Sequence, residues 1–346
     1  MNTRAYAAYG ARQDLKSYEF NRRDIGVHDV ALEIKFAGIC HSDIHTVRDE
    51  WGAAIYPCVP GHEIVGKVSA IGTSVTKFKV GDLIGVGVFV DSCRSCEPCK
   101  SGLQQYCING MTGTYNNLER DGKTPAQGGY SNYFVINEDY AVHIPANLDL
   151  AGVAPLLCAG ITLYSPIKHW KTGPGKKVGV IGLGGLGHMG VKIATALGAD
   201  VTVFSHSPKK REDALAMGAK EFVVVNQKAD LVSESKKYDL ILNTVSAELE
   251  LEWYVECLKL DGTIVLMGLP GKPYSIGTGP LISQRRSVSG SMIGGIPELQ
   301  EMLDFCGEHN ITSDIELIEP EYINKAYERT VASDVKYRFV IDASKF

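Results

Sequence analysis

Four cysteines, Cys93, Cys96, Cys99 and Cys107, stand in the pattern C-x2-C-x2-C-x7-C. Two-residue gaps let successive backbone turns aim their sulfurs at one point, as a tetrahedral zinc with bonds of about 2.3 Å demands. Ferredoxin-type runs also open C-x2-C-x2-C, but they place the next cysteine three residues on and follow it with proline. Here the gap is seven and Ile108 follows, so zinc is the better fit. No reactive side chain stands beside the four sulfurs, which makes a closed structural site the expected role. A disulfide framework is disfavoured because Met1 to Asp14 lacks the continuous apolar core of a secretory signal.

Nine cysteines in all leave five to place. Cys58, Cys257 and Cys306 read as buried, inert thiols. Cys40 opens CHSDIH (40–45), and His62 with Glu63 lies in PGHEIVG (60–66). With Cys158 these form the Cys2His donor set of a catalytic zinc, whose fourth position is kept for water or substrate. The three lie far apart in the chain, so spacing does not force the grouping, and on spacing alone Cys158 goes to the core.

A second kind of chemistry is read at Gly182-Leu183-Gly184-Gly185-Leu186-Gly187, a G-x-G-x-x-G turn that follows the strand-like VGVIG and opens a helix. In that context Gly182 permits the tight turn, Gly184 lets backbone approach a pyrophosphate, and Gly187 allows close helix packing. The next strand-like run ends in Ser205-His206-Ser207-Pro208-Lys209-Lys210-Arg211, without the carboxylate that would accept the ribose hydroxyl of NAD. Three cations in the first turn of a helix starting near Pro208 oppose its dipole, a cost that a bound 2′-phosphate reverses. NADP(H) is therefore expected, with Ser205, Ser207 and Lys210 as contacts. The plain alternative is a solvated basic helix start, partly neutralised by Glu212 and Asp213.

These groups need rigid elements behind them. From about Lys177 the chain alternates apolar runs (178–182, 201–205, 222–225, 240–245, 263–268, 287–293) with helical stretches (186–197, 208–217, 249–258). Runs apolar on both faces suit a buried parallel sheet, so a six-stranded doubly wound domain is expected over 151–293. The first 150 residues carry Gly and Pro punctuation and short strands at 31–38, 65–72 and 82–90, the marks of a β-rich, partly barrel-like domain. A helix at 296–307 and the strand-like YRFVID (337–342) are assigned back to it, making 1–150 plus 294–346 one domain.

Composition narrows the partners. In 346 residues, 45% are hydrophobic and 22% charged, which excludes disordered and collagen-like chains. A net charge of −5 removes the electrostatic case for nucleic acid or an anionic membrane. The apolar stretch 178–199 carries His188 and Lys192 and reads as strand, turn and helix rather than a membrane span. A small neutral substrate and a cytoplasmic location are the expectations. A homodimer is expected as well, because the sixth run would lie at a sheet edge that needs covering.

In this order, CHSDIH, PGHEIVG, the four-cysteine lobe, LLCAGITLYSP (156–166) and GLGGLG resemble the zinc-dependent medium-chain alcohol dehydrogenases over nearly the whole chain. The wording of CHSDIH, LLCAGITLYSP and YRFVID most resembles their cinnamyl alcohol dehydrogenase-like branch of broad aldehyde reductases. The resemblance implies a GroES-like β-rich catalytic domain beside a Rossmann domain, two zinc ions per chain, and Cys40, His62 and Cys158 as catalytic ligands. It implies Glu63 as an occasional ligand, Asp43 orienting the histidine ligand, and His41 near the cofactor pyrophosphate. Ser42 and His45 become a proton relay through the nicotinamide ribose, and Trp51, Tyr115 and Ile293, with Leu269 and Pro270, become candidates for the substrate pocket.

The implied reaction is reversible hydride transfer between NADP(H) and an alcohol or aldehyde. Two other readings compete. A polyol or amino-alcohol dehydrogenase of the same family commonly replaces the third cysteine ligand with a carboxylate, against which Cys158 speaks. A non-enzymatic zinc protein, either a nucleic-acid ribbon or a redox sensor, leaves the relay loop and the glycine fingerprint unexplained, and Arg94, Lys100 and Glu97 nearly cancel around the lobe.

Overall fold

The computed structural model describes all residues from Met1 to Phe346. They form two compact units, one of Met1–Ile161 with Gly294–Phe346 and the other of Thr162–Ile293. The division falls inside the helix Ala159–His169 rather than at the expected 150/151. The reason is local: the junction lies inside a continuous helix, so no turn or linker residues mark it.

In the first unit a seven-stranded sheet is organised around Asp29–Gly38. That strand pairs antiparallel with Ile64–Ile71 on one side, and with Tyr133–Asn137 and Arg338–Asp342 on the other. It has neighbours on both edges, and Val30, Leu32 and Ile34 are at most 2% exposed, so its apolar residues carry the core. The C-terminal strand joins this sheet through Ile341 opposite Ala37. The stretch read as one strand at 82–90 is two, Leu83–Val86 and Phe89–Asp91. Gly87 lies in the gap between them, where a Cβ would come within 3.0 Å of the Leu157 carbonyl.

The second unit contains a six-stranded sheet whose strands are all parallel. Counted along the chain, its order is 3-2-1-4-5-6, from Glu221–Val224 at one edge to Ser287–Gly290 at the other. The order reverses between Lys177–Ile181 and Tyr238–Asn243, and ligands of such sheets bind at the carboxyl ends of the strands at that point. The glycine turn 182–187 follows Lys177–Ile181 there.

Phe204 anchors the core beneath it. Fully buried, its ring lies 5.3 Å from Tyr238 and 5.5 Å from Tyr254, both edge-on. Gly179 in the adjacent strand makes room, since a Cβ there would come within 2.7 Å of the Phe204 ring. No single helix is long and apolar enough to cross a membrane. Phe204→Ala removes a ring that nothing else can replace, and it should lower stability by about 3–5 kcal/mol. Denaturant unfolding checks this, and a loss below about 1 kcal/mol would contradict the central role given to the ring.

Candidate metal and dinucleotide sites

Cys40 is the N-cap of the short helix His41–Val47. The third helical residue, Asp43, reaches back with Oδ2 to accept the Cys40 N–H at 2.9 Å, the return half of a capping box. Asp43 is fully buried, and Oδ1 also accepts from the Gly61 N–H and faces His62 Nδ1, each at 3.1 Å. One carboxylate thus joins the turn bearing Cys40 to the turn bearing His62. A ring nitrogen held this way leaves Nε2 free to ligate.

Cys158 follows the 3-10 turn Ala154–Leu157, and its sulfur lies 4.0 Å from that of Cys40. Ligand atoms of Cys40, His62, Glu63 and Cys158, all buried, lie within 4.8 Å of one another. A tetrahedral ion with bonds of about 2.3 Å holds its sulfurs about 3.8 Å apart, and a disulfide about 2.05 Å, so the spacing suits a metal. The hydrogen bond to Cys158 pulls the Cys40 thiol well below its ordinary range, while the same bond and burial push Cys158 up. Two thiols sharing a proton are a donor pair from which a cation can displace that proton.

Glu63 is fully buried and ion-paired with Arg338 from the C-terminal strand. Burial raises its carboxyl to about 7, with Arg338 opposing the rise. Its Oε2 has no hydrogen-bond partner, and a carboxylate oxygen of Glu63 lies within 4.8 Å of both sulfurs. That atom, two thiols and one imidazole suit a divalent cation well. Arg338 was not anticipated from the sequence, since an arginine opening an apolar strand 275 residues away carries no signal of its role.

In the lobe, the Cys93 and Cys99 sulfurs and the Cys96 and Cys107 sulfurs are each 3.9 Å apart, and all four lie within 4.8 Å of one another. The Cys93 and Cys96 amides point at Cys107 and Cys93 sulfurs at 3.4 Å. This set also fits a tetrahedral ion. Cys58, Cys257 and Cys306 are at most 1% exposed, and burial pushes each thiol up to about 12.

His45 faces Glu50 through Nδ1 and stacks on Trp51 at 5.0 Å, with the His41 ring at 4.9 Å. Ser42 is half-buried on the same helix. Trp51 is 52% exposed, and its packing partner is His45. Tyr115 stacks on His62 at 5.8 Å and donates to the Thr46 hydroxyl at 3.4 Å. Ile293 belongs to the other unit and has a positive φ of 38°.

In the second unit Gly182 has φ +87°, and a Cβ on Gly187 would overlap the Gly182 carbonyl. A Cβ on Gly184 would meet nothing within 4 Å, so backbone there is open to a close ligand. Gly185 and Leu186 complete the turn before the helix Gly187–Ala196. The helix expected at 208–217 is a 3-10 turn, Pro208–Lys210, followed by Arg211–Ala216. Ser207 caps it by accepting the Lys209 N–H at 3.3 Å, and Ser205 accepts the Ser207 N–H at 3.3 Å. The three cations separate: Arg211 stacks on Phe222 at 5.1 Å, while Lys210 Nζ donates to the Leu183 carbonyl at 2.9 Å. Lys210 therefore leans over the glycine turn, and burial lowers its pKa.

A Cys2His centre, a four-cysteine lobe and a doubly wound sheet with a glycine-rich turn define a zinc-binding dehydrogenase. Residues 26–146 match the family described as alcohol dehydrogenase GroES-like domain, and 185–308 match zinc-binding dehydrogenase. The chain is 59% identical over 98% of its length to "NADP-dependent alcohol dehydrogenase C 1" of Mycolicibacterium smegmatis, covering 97% of that protein. It is 53% identical to "Aldehyde reductase YahK" of Escherichia coli, over 99% of this chain and 98% of that one. A solved cinnamyl alcohol dehydrogenase of Sorghum bicolor superposes with a TM-score of 0.96 at 44% identity, covering 99% of this chain and 98% of that one. The chain belongs to the zinc-dependent medium-chain alcohol dehydrogenase family, in its cinnamyl alcohol dehydrogenase-like branch.

Gly38 shows how tightly the metal turn is built. A Cβ there would overlap the Glu63 carboxylate. Gly38→Ala should cost about 1–3 kcal/mol by overpacking a pair that cannot move apart, and thermal unfolding with an unshifted midpoint would contradict it.

Proposed function

We propose that the protein is an NADP-dependent zinc alcohol dehydrogenase working as an aldehyde reductase, with reversible hydride transfer between NADP(H) and an aliphatic or aromatic primary alcohol or its aldehyde. The observation that carries the reading is the buried Cys40, His62, Glu63 and Cys158 cluster with Asp43 behind the histidine. Bound in it, zinc supplies Lewis acidity toward a carbonyl oxygen, while NADPH supplies the hydride.

The protein's own residues do the rest. Cys40, His62 and Cys158 hold the catalytic ion, and Asp43 keeps the His62 ring in one orientation. Cys93, Cys96, Cys99 and Cys107 hold a second, structural ion. Ser42 Oγ delivers a proton toward the product oxygen, and His45, whose Nδ1 faces Glu50, restores it. The amides of Gly182, Gly184, Gly185, Leu186 and Gly187 meet the pyrophosphate, and His41 is the residue of the metal-binding helix assigned to the same cofactor. Ser205, Ser207 and Lys210 meet the 2′-phosphate, and the lean of Lys210 over Leu183 puts its charge within the turn.

The unit of Met1–Ile161 with Gly294–Phe346 then forms the catalytic domain and Thr162–Ile293 the cofactor domain. Trp51 and Tyr115 are the substrate-pocket residues of the first unit, and Ile293 is the candidate of the second. The edge strand Ser287–Gly290 is the seam of a cytoplasmic homodimer. Neither nucleic acid nor membrane is a partner.

Initial rates over a panel of aldehydes with NADPH and NADH test the activity, and no turnover with either cofactor would refute it. Ser205→Asp should lower the NADPH to NADH ratio of kcat/KM on the order of tenfold, a repulsion worth about 1.4 kcal/mol. An unchanged ratio would remove Ser205 from the phosphate site. Metal analysis should give two zinc ions per chain, with turnover lost when Cys40→Ser removes one. A single ion in an inactive wild-type protein would favour a structural zinc protein instead.

A further inference from the structure

Three of the four donors to Asp43 come from the Cys40 and His62 turns and the His62 ring itself. The fourth is the Tyr130 hydroxyl, which donates to Oδ2 at 3.1 Å. Tyr130 is fully buried, and its ring crosses Gly61, the residue before His62. Gly61 has φ +103°, and a Cβ on it would reach the ring at 2.5 Å, so the tyrosine occupies space that any other residue at 61 would take.

The backbone around Tyr130 is pinned from two sides. Its own N–H donates to the Pro60 carbonyl at 2.9 Å, and Gly129 N–H to that of Gly61 at 2.9 Å. From the other side Arg22 donates to the carbonyls of Gly128 at 2.7 Å and Tyr133 at 3.0 Å, and to the Ser131 hydroxyl at 3.0 Å. The guanidinium is gripped between Phe20 and Phe134, at 4.8 and 4.5 Å. The Tyr130 hydroxyl thus faces Asp43 Oδ2, with the Tyr327 side chain beside it.

Asp43 takes two donors on each oxygen, and this balance fixes the rotation of the carboxylate. Without the hydroxyl, Oδ2 keeps only the Cys40 amide in a site closed to water, and the group gains from turning Oδ1 away from His62. We propose that Tyr130 is a positioning residue of the metal centre, acting through Asp43 to hold the His62 ring toward the metal. The inference rests on the zinc reading given above, and it concerns a residue that touches neither metal nor substrate.

Tyr130→Phe keeps the ring and deletes the hydroxyl, and Asp43→Asn serves as its partner in a double-mutant cycle on the zinc-loaded protein. The readouts are the rate of zinc transfer to a chromophoric chelator, and the visible spectrum after cobalt is placed in the Cys40 site. Loss of a group directly behind a metal-ligating histidine weakens metal binding by about 10–100-fold. Tyr130→Phe should release the Cys40-site metal at least about threefold faster, toward the lower part of that range, with the cobalt bands shifted and release from the four-cysteine lobe unchanged. In the Asp43→Asn background the same change should add nothing.

Wild-type release and spectrum for Tyr130→Phe would overturn the inference, as would an equal acceleration in both backgrounds, which would mark the tyrosine as packing alone. If Asp43→Asn also released metal at the wild-type rate, the metal-site reading itself would fall.

Discussion

A carboxylate removed from water must be surrounded by donors or it costs several kcal/mol. Asp43 meets that demand with four hydrogen bonds drawn from three segments distant in the chain, at Cys40, at Gly61 and His62, and at Tyr130. Because each donor has one usable geometry, the buried charge fixes where those segments stand relative to one another. The metal ligands inherit that precision. Losing one donor leaves a buried charge with three, a sharper penalty than losing a hydrogen bond between neutral groups.

A second buried pair, Glu63 with Arg338, closes the same region from the C-terminal strand. Its presence explains why the chain returns to the first unit after Gly294, since the strand that supplies Arg338 pairs with Asp29–Gly38 immediately before Cys40. Gly38 lies where the Glu63 carboxylate needs room. Fold and chemistry therefore use the same residues here: the central strand that carries the core also sets the entry to the metal-binding helix.

The second unit solves a different problem with backbone rather than buried charge. Its glycine turn sits at the switch point of the parallel sheet, where open amides and a helix start favour an anion. One strand away, Ser205 to Lys210 carry no carboxylate. Only Lys210 among the three neighbouring cations turns to the glycine turn, while Arg211 packs on Phe222.

Much of this was legible in the residues. Apolar runs on both faces announced the parallel sheet, and the close cysteine pairs announced the lobe, because both signals are local and repeat at the period of the structure they form. The strand at 82–90 and the helix at 208–217 were misjudged in extent because Gly87 and Pro208 act through contacts and caps rather than composition. Resemblance, not spacing, pointed to Cys158, and proximity to Cys40 came with the coordinates. The sequence by itself determined which side chains could ligate and which turn could cradle a phosphate, since donor type and glycine are properties of single residues. Only the tertiary structure decided that Tyr130, Arg22 and Arg338 serve that centre. A hydrogen bond between residues 87 apart, or an ion pair 275 apart, leaves no trace in local pattern until folding brings the partners within about 3 Å.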